Sequence, residues 1–252
     1  MNLTHPFINE HLIHSKFDFD CKIRGADRLA YIPVIAGGNR ATTLHYIRNN
    51  QIVEGDSLLL MDAGCEYRDY AADITRTWPV SGKYTTAQKE LYQACLNVQM
   101  YCIEKCQPGV TLYDLYIYMM RKLGEELNNL GLIDKNLHET VVKQTFAPNQ
   151  RLPMNYIQAI SGFCAHDIGH FLGIDVHDSP EVTKMLKLEP GSVITIEPGI
   201  YIRSDNKNVP EKYRGIGIRI EDDVAITSTG HDVLSKRTPK TVDEIEHLLR
   251  RN

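Results

Sequence analysis

The chain has 252 residues, 42% hydrophobic and 24% charged, enough to bury a sizeable core as one large domain or two small ones. A net charge of −4 with no long basic run gives no electrostatic case for nucleic acid or membrane surfaces. Apolar runs such as SLLLM at 57–61 fall far short of a bilayer span, and the opening MNLTHPFINEHL carries neither a secretory nor a transit pattern.

In chain order, helix-type apolar spacing first runs over 6–24. Strand-like runs follow at 57–63 (SLLLMDA) and 70–77 (YAADITRT). A second helix pattern spans 84–106, closed by Pro108-Gly109, and a third runs from about 111 to 130, ending near Gly131. The segment 134–152 reads as loop-rich. Two more strand-like runs, 192–202 (SVITIEPGIYI) and 215–227 (GIGIRIEDDVAIT), flank a polar loop at 204–214, and the tail TVDEIEHLLRR reads as helix. The mixed order lacks a βαβ rhythm and predicts an α+β architecture around an antiparallel sheet. No linker or repeat divides the chain, so one domain over 1–252 is expected. Six cysteines lack a C-x-x-C pair, and Cys95, Cys102 and Cys106 share the spacing of one buried helix face. So cysteine-poor a chain is expected in a reducing compartment.

Acids interrupt the apolar strands. Asp62 ends LLLMD and Asp73 sits in YAADITRTW. A buried ionised carboxylate costs on the order of several kcal/mol unless it is paired or bound to a cation. If Tyr67 and Arg68 form the tip of the intervening hairpin, residues whose numbers sum to 135 face each other, and Asp62 opposes Asp73. The plainer reading gives each acid its own arginine, Arg76 for example. Glu197 follows the β-formers of VITI, and Arg219 and Glu221 share one strand face opposite Ile216, Ile218 and Ile220. Asp222 and Asp223 read as solvated. The four acids Asp62, Asp73, Glu197 and Glu221 carry charge enough for two divalent cations. An oxygen-rich donor set without thiolate suits Mn²⁺, Co²⁺, Fe²⁺ or Zn²⁺.

HDIGHFLGIDVHD, residues 166–178, holds three of the ten histidines. Chance clustering on a surface loop is one reading. A zincin-like helix through His166 and His170 is another, but Asp167 replaces its glutamate, and Gly169 and Gly173 would each weaken a helix by about 1 kcal/mol. Strand alternation through FLGIDVHD fits better.

MDAGCEYRDYAADITRTWPVSGKYT, HDIGHFLGIDVHD, ITIEPGIYI and GIGIRIEDDVAIT, with AGGNRATTLHY at 36–46, together resemble the pita-bread metallopeptidases of the aminopeptidase P and prolidase group. The likeness covers roughly 25–235, and within the group it is nearest the mitochondrial-type Xaa-Pro aminopeptidases, which include intermediate-cleaving peptidases. It implies a curved antiparallel sheet flanked by helices, with Asp62, Asp73, His170, Glu197 and Glu221 as ligands of two metal ions, Mn²⁺ first among those above. It also implies His45, His166 and His177 as active-site histidines around the substrate, Arg219 beside the metals, and Glu197 as proton shuttle. Tyr201 is a further candidate for the proline pocket. The implied reaction is attack of a metal-bridging hydroxide on the N-terminal Xaa-Pro bond of a peptide with a free N-terminus. Removal of one bulky residue from imported proteins and prolidase action on Xaa-Pro dipeptides share the same motifs. A non-catalytic binding module would be expected to lose ligands that this chain keeps. The family's separate N-terminal domain has no counterpart in these residues, which leaves a homodimer and a mitochondrial or cytoplasmic location as open expectations.

Overall fold

The computed structural model describes residues 1–143 and 152–250. Helix α1 (Glu10–Lys22) opens at Asn9, whose side chain accepts from the His11 amide. Strands β1 (Arg28–Leu29) and β2 (Val34–Gly37) lead to β3 (Leu58–Ala63). Then come β4 (Cys65–Tyr67), β5 (Tyr70–Ala71) and β6 (Ile74–Pro79). Helices α2 (Thr86–Glu104) and α3 (Leu112–Asn129) each start in a reciprocal capping box, Thr85 with Gln88 and Thr111 with Asp114. Helices α4 (Lys135–Lys143) and α5 (Met154–Ser161) follow. Strands β7 (Val193–Ile196), β8 (Gly199–Ile202), β9 (Ile216–Arg219), β10 (Asp222–Ile226) and β11 (His231–Val233) precede helix α6 (Val242–Leu249).

All strand pairs are antiparallel, in sheets ordered β2-β3-β6, β11-β10-β7, β1-β4-β5 and β8-β9. Helices α2 and α3 bury Leu91, Tyr92, Val98, Leu115 and Met119 in one core with Ile194, Ile196, Ile200 and Ile218 of the strands. Helices thus cover one side of the strands, the α+β arrangement expected. Cys95, Cys102 and Cys106 are buried in that core as free thiols. No helix among the described residues is long and apolar enough to cross a membrane.

Several local expectations change. The segment 135–143 is helix rather than loop, and 144–151 lie outside the described residues. The hairpin turns one residue later than predicted, at Arg68-Asp69, where both residues have positive φ (51° and 68°). A two-residue hairpin turn of type I′ has positive φ at both central positions, and aspartate tolerates it better than most. Tyr67 therefore faces Tyr70, and Asp62 faces Thr75 rather than Asp73. The long runs 192–202 and 215–227 are each two strands, broken at 197–198 and 220–221. Pro198 has no amide to give the ladder, its carbonyl accepts from the Ile220 amide at 3.3 Å, and the Cys95 thiol donates to the same carbonyl at 3.2 Å. Glu197 and Glu221 sit at this break, where the backbone bends and the side chains leave the regular pleat.

Residues 166–178 form neither helix nor strand. Phe171 makes isolated bridges to Asp178 and Ile194, and the rest is irregular. The segment is pinned to β7 by hydrogen bonds from Glu197 N to Ile168 O (2.8 Å) and from Thr195 N to His170 O (2.9 Å). Close approach leaves no room for a side chain at Gly169, where a Cβ would lie 2.0 Å from the Thr195 carbonyl oxygen.

Candidate metal centre

Strand β3 and the start of β6 bring Asp62 and Asp73 together from one side, and the break between β7–β8 and β9–β10 brings Glu197 and Glu221 from the other. His170 enters from the pinned 168–170 segment. One ligand atom each from Asp73, His170 and Glu221 lie within 4.8 Å of one another. His170 Nε2 is 3.4 Å from Asp73 Oδ2 and 3.6 Å from Glu197 Oε1, contacts set around a common point rather than short hydrogen bonds. Its Nδ1 lies 2.9 Å from the Phe171 carbonyl, which requires Nδ1 to carry a proton and turns Nε2, the nitrogen that could exchange its proton for a metal, toward the acids.

The Tyr31 hydroxyl lies 2.5 Å from both Asp62 Oδ1 and Asp73 Oδ1. One phenol has one proton to donate, so one of these carboxylate oxygens is left without its donor. Burial, then the charges of Asp62 and Asp73, pushes the Tyr31 pKa far up, so the phenol stays protonated. Neither its short AYIPV context nor any motif marks Tyr31 in the sequence; only folding β1 and β2 beside β3 puts it there.

Arg219 is 1% exposed and spreads its guanidinium over the site. Its Nη2 donates to Asp62 Oδ2 at 2.5 Å, Nη1 to the Tyr201 hydroxyl at 3.0 Å and Nε to Thr75 Oγ1 at 3.1 Å. Thr75 in turn donates to Glu221 Oε2 at 2.5 Å. Thr75 is a second residue that sequence reasoning missed, because its role follows from the register that sets it opposite Asp62. The arginine considered earlier for Asp62 or Asp73, Arg76, instead pairs with Asp222 at 2.7 Å. Asp222 and Asp223 are buried, 0% and 5% exposed, rather than solvated. Asp222 also accepts from Lys240, Gln99 and Ser235, whereas Asp223 Oδ2 takes only the Asp73 amide at 3.3 Å.

Burial holds three of the acids, Asp62, Glu197 and Glu221, away from their ordinary ionisation. Burial raises Asp62 and Glu221, with Arg219 opposing the rise in both. Burial pushes Glu197 up to about 7 against the pull of Arg219 and His170. Burial would lower His170, but Asp73 and Glu197 outweigh it and raise the imidazole to about 9. Buried carboxylates, a histidine with Nε2 turned toward them and a shortage of positive charge are what a divalent cation with oxygen and nitrogen ligands satisfies. The residues fit a divalent metal.

The other histidines surround this cluster. His166 Nε2 is 2.9 Å from the Tyr201 hydroxyl and Nδ1 is 2.8 Å from the Asp167 carbonyl, so a chain of hydrogen bonds runs from Arg219 through Tyr201 to His166. Burial, then Arg219, lowers His166 to about 4, and the ring is neutral at physiological pH. His177 is exposed, with its ring 4.6 Å from that of His170, and burial with the nearby His170 and His45 charges lowers its pKa despite Asp73. His45 is exposed on the turn after Thr42, where its charge is felt by both His166 and His177.

The model of metallopeptidase family M24 matches residues 1–228. The chain is 46% identical over 241 residues to Xaa-Pro aminopeptidase 3 of Homo sapiens, covering 96% of this chain and 45% of that protein. It is 42% identical over 243 residues to the mitochondrial intermediate cleaving peptidase 55 of Arabidopsis thaliana, again covering 96% and 45%. The chain thus spans about half the length of these curated relatives. Among solved structures, the Escherichia coli aminopeptidase P in complex with substrate superposes with a TM-score of 0.88 at 35% identity, covering 98% of this chain and 53% of that one. Pseudomonas aeruginosa aminopeptidase PepP gives 0.89 at 35% identity, covering 98% and 54%. The fold is the pita-bread fold of these enzymes.

Proposed function

Because the chain belongs to metallopeptidase family M24, we propose that it is the catalytic portion of an aminopeptidase that hydrolyses the first peptide bond of Xaa-Pro peptides. Asp62, Asp73, His170, Glu197 and Glu221 would hold two divalent ions, with Mn²⁺ the first candidate. The observation that carries this reading is the convergence of Asp73, Glu197 and Glu221 around His170, with Asp62 joined to Asp73 through the shared Tyr31 hydroxyl. When bound, such ions supply the Lewis acidity that activates water and polarises a carbonyl at neutral pH.

The chain's own residues do the rest. Glu197 takes a proton from the attacking water on its carboxylate and returns it to the proline nitrogen as the C–N bond breaks. The hydroxyl part of that water ends on the carbonyl carbon of the released residue. Arg219 stays cationic and fixes Asp62, while Thr75 fixes Glu221. His45 and His177, exposed beside the cluster, donate to the carbonyl oxygen as charge builds there. Neutral His166, locked by Tyr201, forms a wall against the proline ring, which has no N–H to satisfy.

Several relatives are named intermediate cleaving peptidase 55, one of them mitochondrial, which favours a second substrate, the N-terminus of a protein-processing intermediate, and with it a mitochondrial location. A panel followed by mass spectrometry separates the readings: an Xaa-Pro-Xaa tripeptide, an Xaa-Ala-Xaa control, an Xaa-Pro dipeptide and a presequence-like peptide beginning Tyr-Ser. Loss of one residue from the first alone supports the aminopeptidase. Preference for the last supports the processing enzyme, cleavage confined to the dipeptide means prolidase, and inertness toward all four refutes the proposal.

A further inference from the structure

Helix α1 buries a carboxylate far in sequence from the metal-ligand candidates: Glu10 is 0% exposed. Its two oxygens meet four donors, all from residues 37–51, the end of β2 and the connection to β3. Oε1 accepts from the Gly37 amide at 3.0 Å and from Arg40 Nε at 2.7 Å. Oε2 accepts from the Tyr46 hydroxyl at 2.8 Å and from the Gln51 amide at 3.0 Å. The Gln51 carbonyl in return accepts from the Glu10 amide at 2.9 Å. Four donors fill the lone-pair sites of one carboxylate. Burial, then the hydrogen bond to Glu10, raises the Tyr46 hydroxyl to about 12, so the phenol keeps the proton it donates.

What this carboxylate holds is the stretch that carries His45. Residues 43–50 belong to no helix or strand, and His45 is exposed on them, so no regular element fixes its position. Its neighbour Tyr46 is fixed twice. The Tyr46 ring packs on Val34, Ala36, Ala41 and Leu60, the small cluster that also receives Tyr201, and its hydroxyl is bound by Glu10. Arg40 before His45 and Gln51 after it are tied to the same carboxylate. One buried side chain thus sets the path of the backbone on both sides of the histidine.

We propose that Glu10 is a positioning residue for His45: its carboxylate fixes the 37–51 segment so that the imidazole stands where the substrate's carbonyl oxygen will be. The assignment rests on the role given to His45 in the proposed reaction. Glu10→Gln keeps the shape but turns N–H groups toward two of the four donors. Facing Gly37 and Arg40, the amide meets two groups that cannot accept. Facing Tyr46 and Gln51, it meets a hydroxyl that can turn and an amide that cannot. At least one donor is left without an acceptor, and the segment shifts. Tyr46→Phe is milder, removing one tie and keeping the ring.

The test measures both variants, alone and combined with His45→Ala, on an Xaa-Pro-Xaa tripeptide. Glu10→Gln is expected to lower kcat about 10–100-fold with KM little changed, the scale for a group misplaced by roughly 1 Å, and Tyr46→Phe by less. In the His45→Ala background both losses should shrink to within about twofold, because the group they act through is gone. Spectra of the metal-free chain labelled with ¹³C at histidine Cε1 give a readout independent of turnover. The His45 line, identified by its absence in His45→Ala, should move or broaden in both variants, with Mn²⁺ stoichiometry as in the parent. A His45 line unchanged in both variants, or a loss of turnover equally large with and without His45, would overturn the assignment. A parent inert toward the tripeptide would refute the proposed activity instead, and the spectra would still decide the positioning. If Glu10→Gln fails to fold, the Tyr46→Phe spectrum decides.

Discussion

Replacing Gly169 by alanine adds one methyl group at the tightest backbone contact behind the candidate centre. A Cβ there would meet Thr195 O at 2.0 Å and Thr195 C at 2.7 Å, and real Cβ atoms essentially never come within 3.0 Å of another heavy atom. The 168–170 segment and β7 must therefore separate by at least about 1 Å. The bonds holding them are 2.8 Å (Glu197 N to Ile168 O) and 2.9 Å (Thr195 N to His170 O), so that displacement breaks both. Two lost backbone bonds cost about 1–3 kcal/mol in stability. The larger effect falls on His170, whose imidazole rides on the displaced backbone; misplacing a ligand on this scale should weaken metal binding about 10–100-fold. Thermal melts with excess chelator give the first quantity, and Mn²⁺ titration calorimetry gives the second. A Gly169→Ala protein that melted with the parent and bound Mn²⁺ with unchanged affinity would refute the reasoning.

Further outcomes follow from the same network. The raised pKa of Glu197, from 4.5 to about 7, and of His170, from 6.5 to about 9, means that the folded metal-free chain binds more protons than the unfolded chain. Stability from these groups is present below their unfolded values and is lost as pH rises through their folded ones, on the order of a few kcal/mol. Chelated protein should therefore melt lower at pH 8 than at pH 5.5, Mn²⁺ should remove the difference, and calorimetry in two buffers should detect proton release on metal binding. Arg219→Met strands the Asp62 carboxylate and should cost about 3–5 kcal/mol by chemical denaturation, less with metal present. Thr75→Val removes one hydroxyl shared by Glu221 and Arg219, and a loss of about 1–3 kcal/mol is expected from the same measurement. Tyr201→Phe removes the donor to His166 while sparing the five candidate ligands; turnover should fall with metal stoichiometry unchanged, by elemental analysis.

The sequence made the acids and histidines conspicuous for one reason: charged residues inside β-rich runs are costly, and cost marks function. Asp62, Asp73, Glu197 and Glu221 could be nominated on that ground, and the resemblance chose His170 from three neighbours. Register was harder to read. Positive φ at Arg68 and Asp69 is a backbone property that neither residue type enforces, so the hairpin slipped from its expected pairing and Thr75 was overlooked. Burial of Asp222 depends on partners as distant in sequence as Arg76, Gln99 and Lys240, and Asp223 accepts from the Asp73 amide, contacts that no local pattern encodes. Tyr31 reaches the site through the same long-range packing. The helices, by contrast, rest on local signals: capping boxes at Thr85, Thr111 and Thr241 with amphipathic spacing behind them.

On the proposed reading, five side chains hold the metal on which peptide hydrolysis depends. The most direct measurement strips the protein, titrates Mn²⁺ against it and against Asp73→Ala, and follows an Xaa-Pro-Xaa tripeptide by mass spectrometry at each point. Two ions per chain are expected, with loss of one N-terminal residue only as they bind, and neither full stoichiometry nor cleavage in Asp73→Ala. Cleavage by the chelated protein, or an Asp73→Ala protein as active as its parent, would contradict that reading.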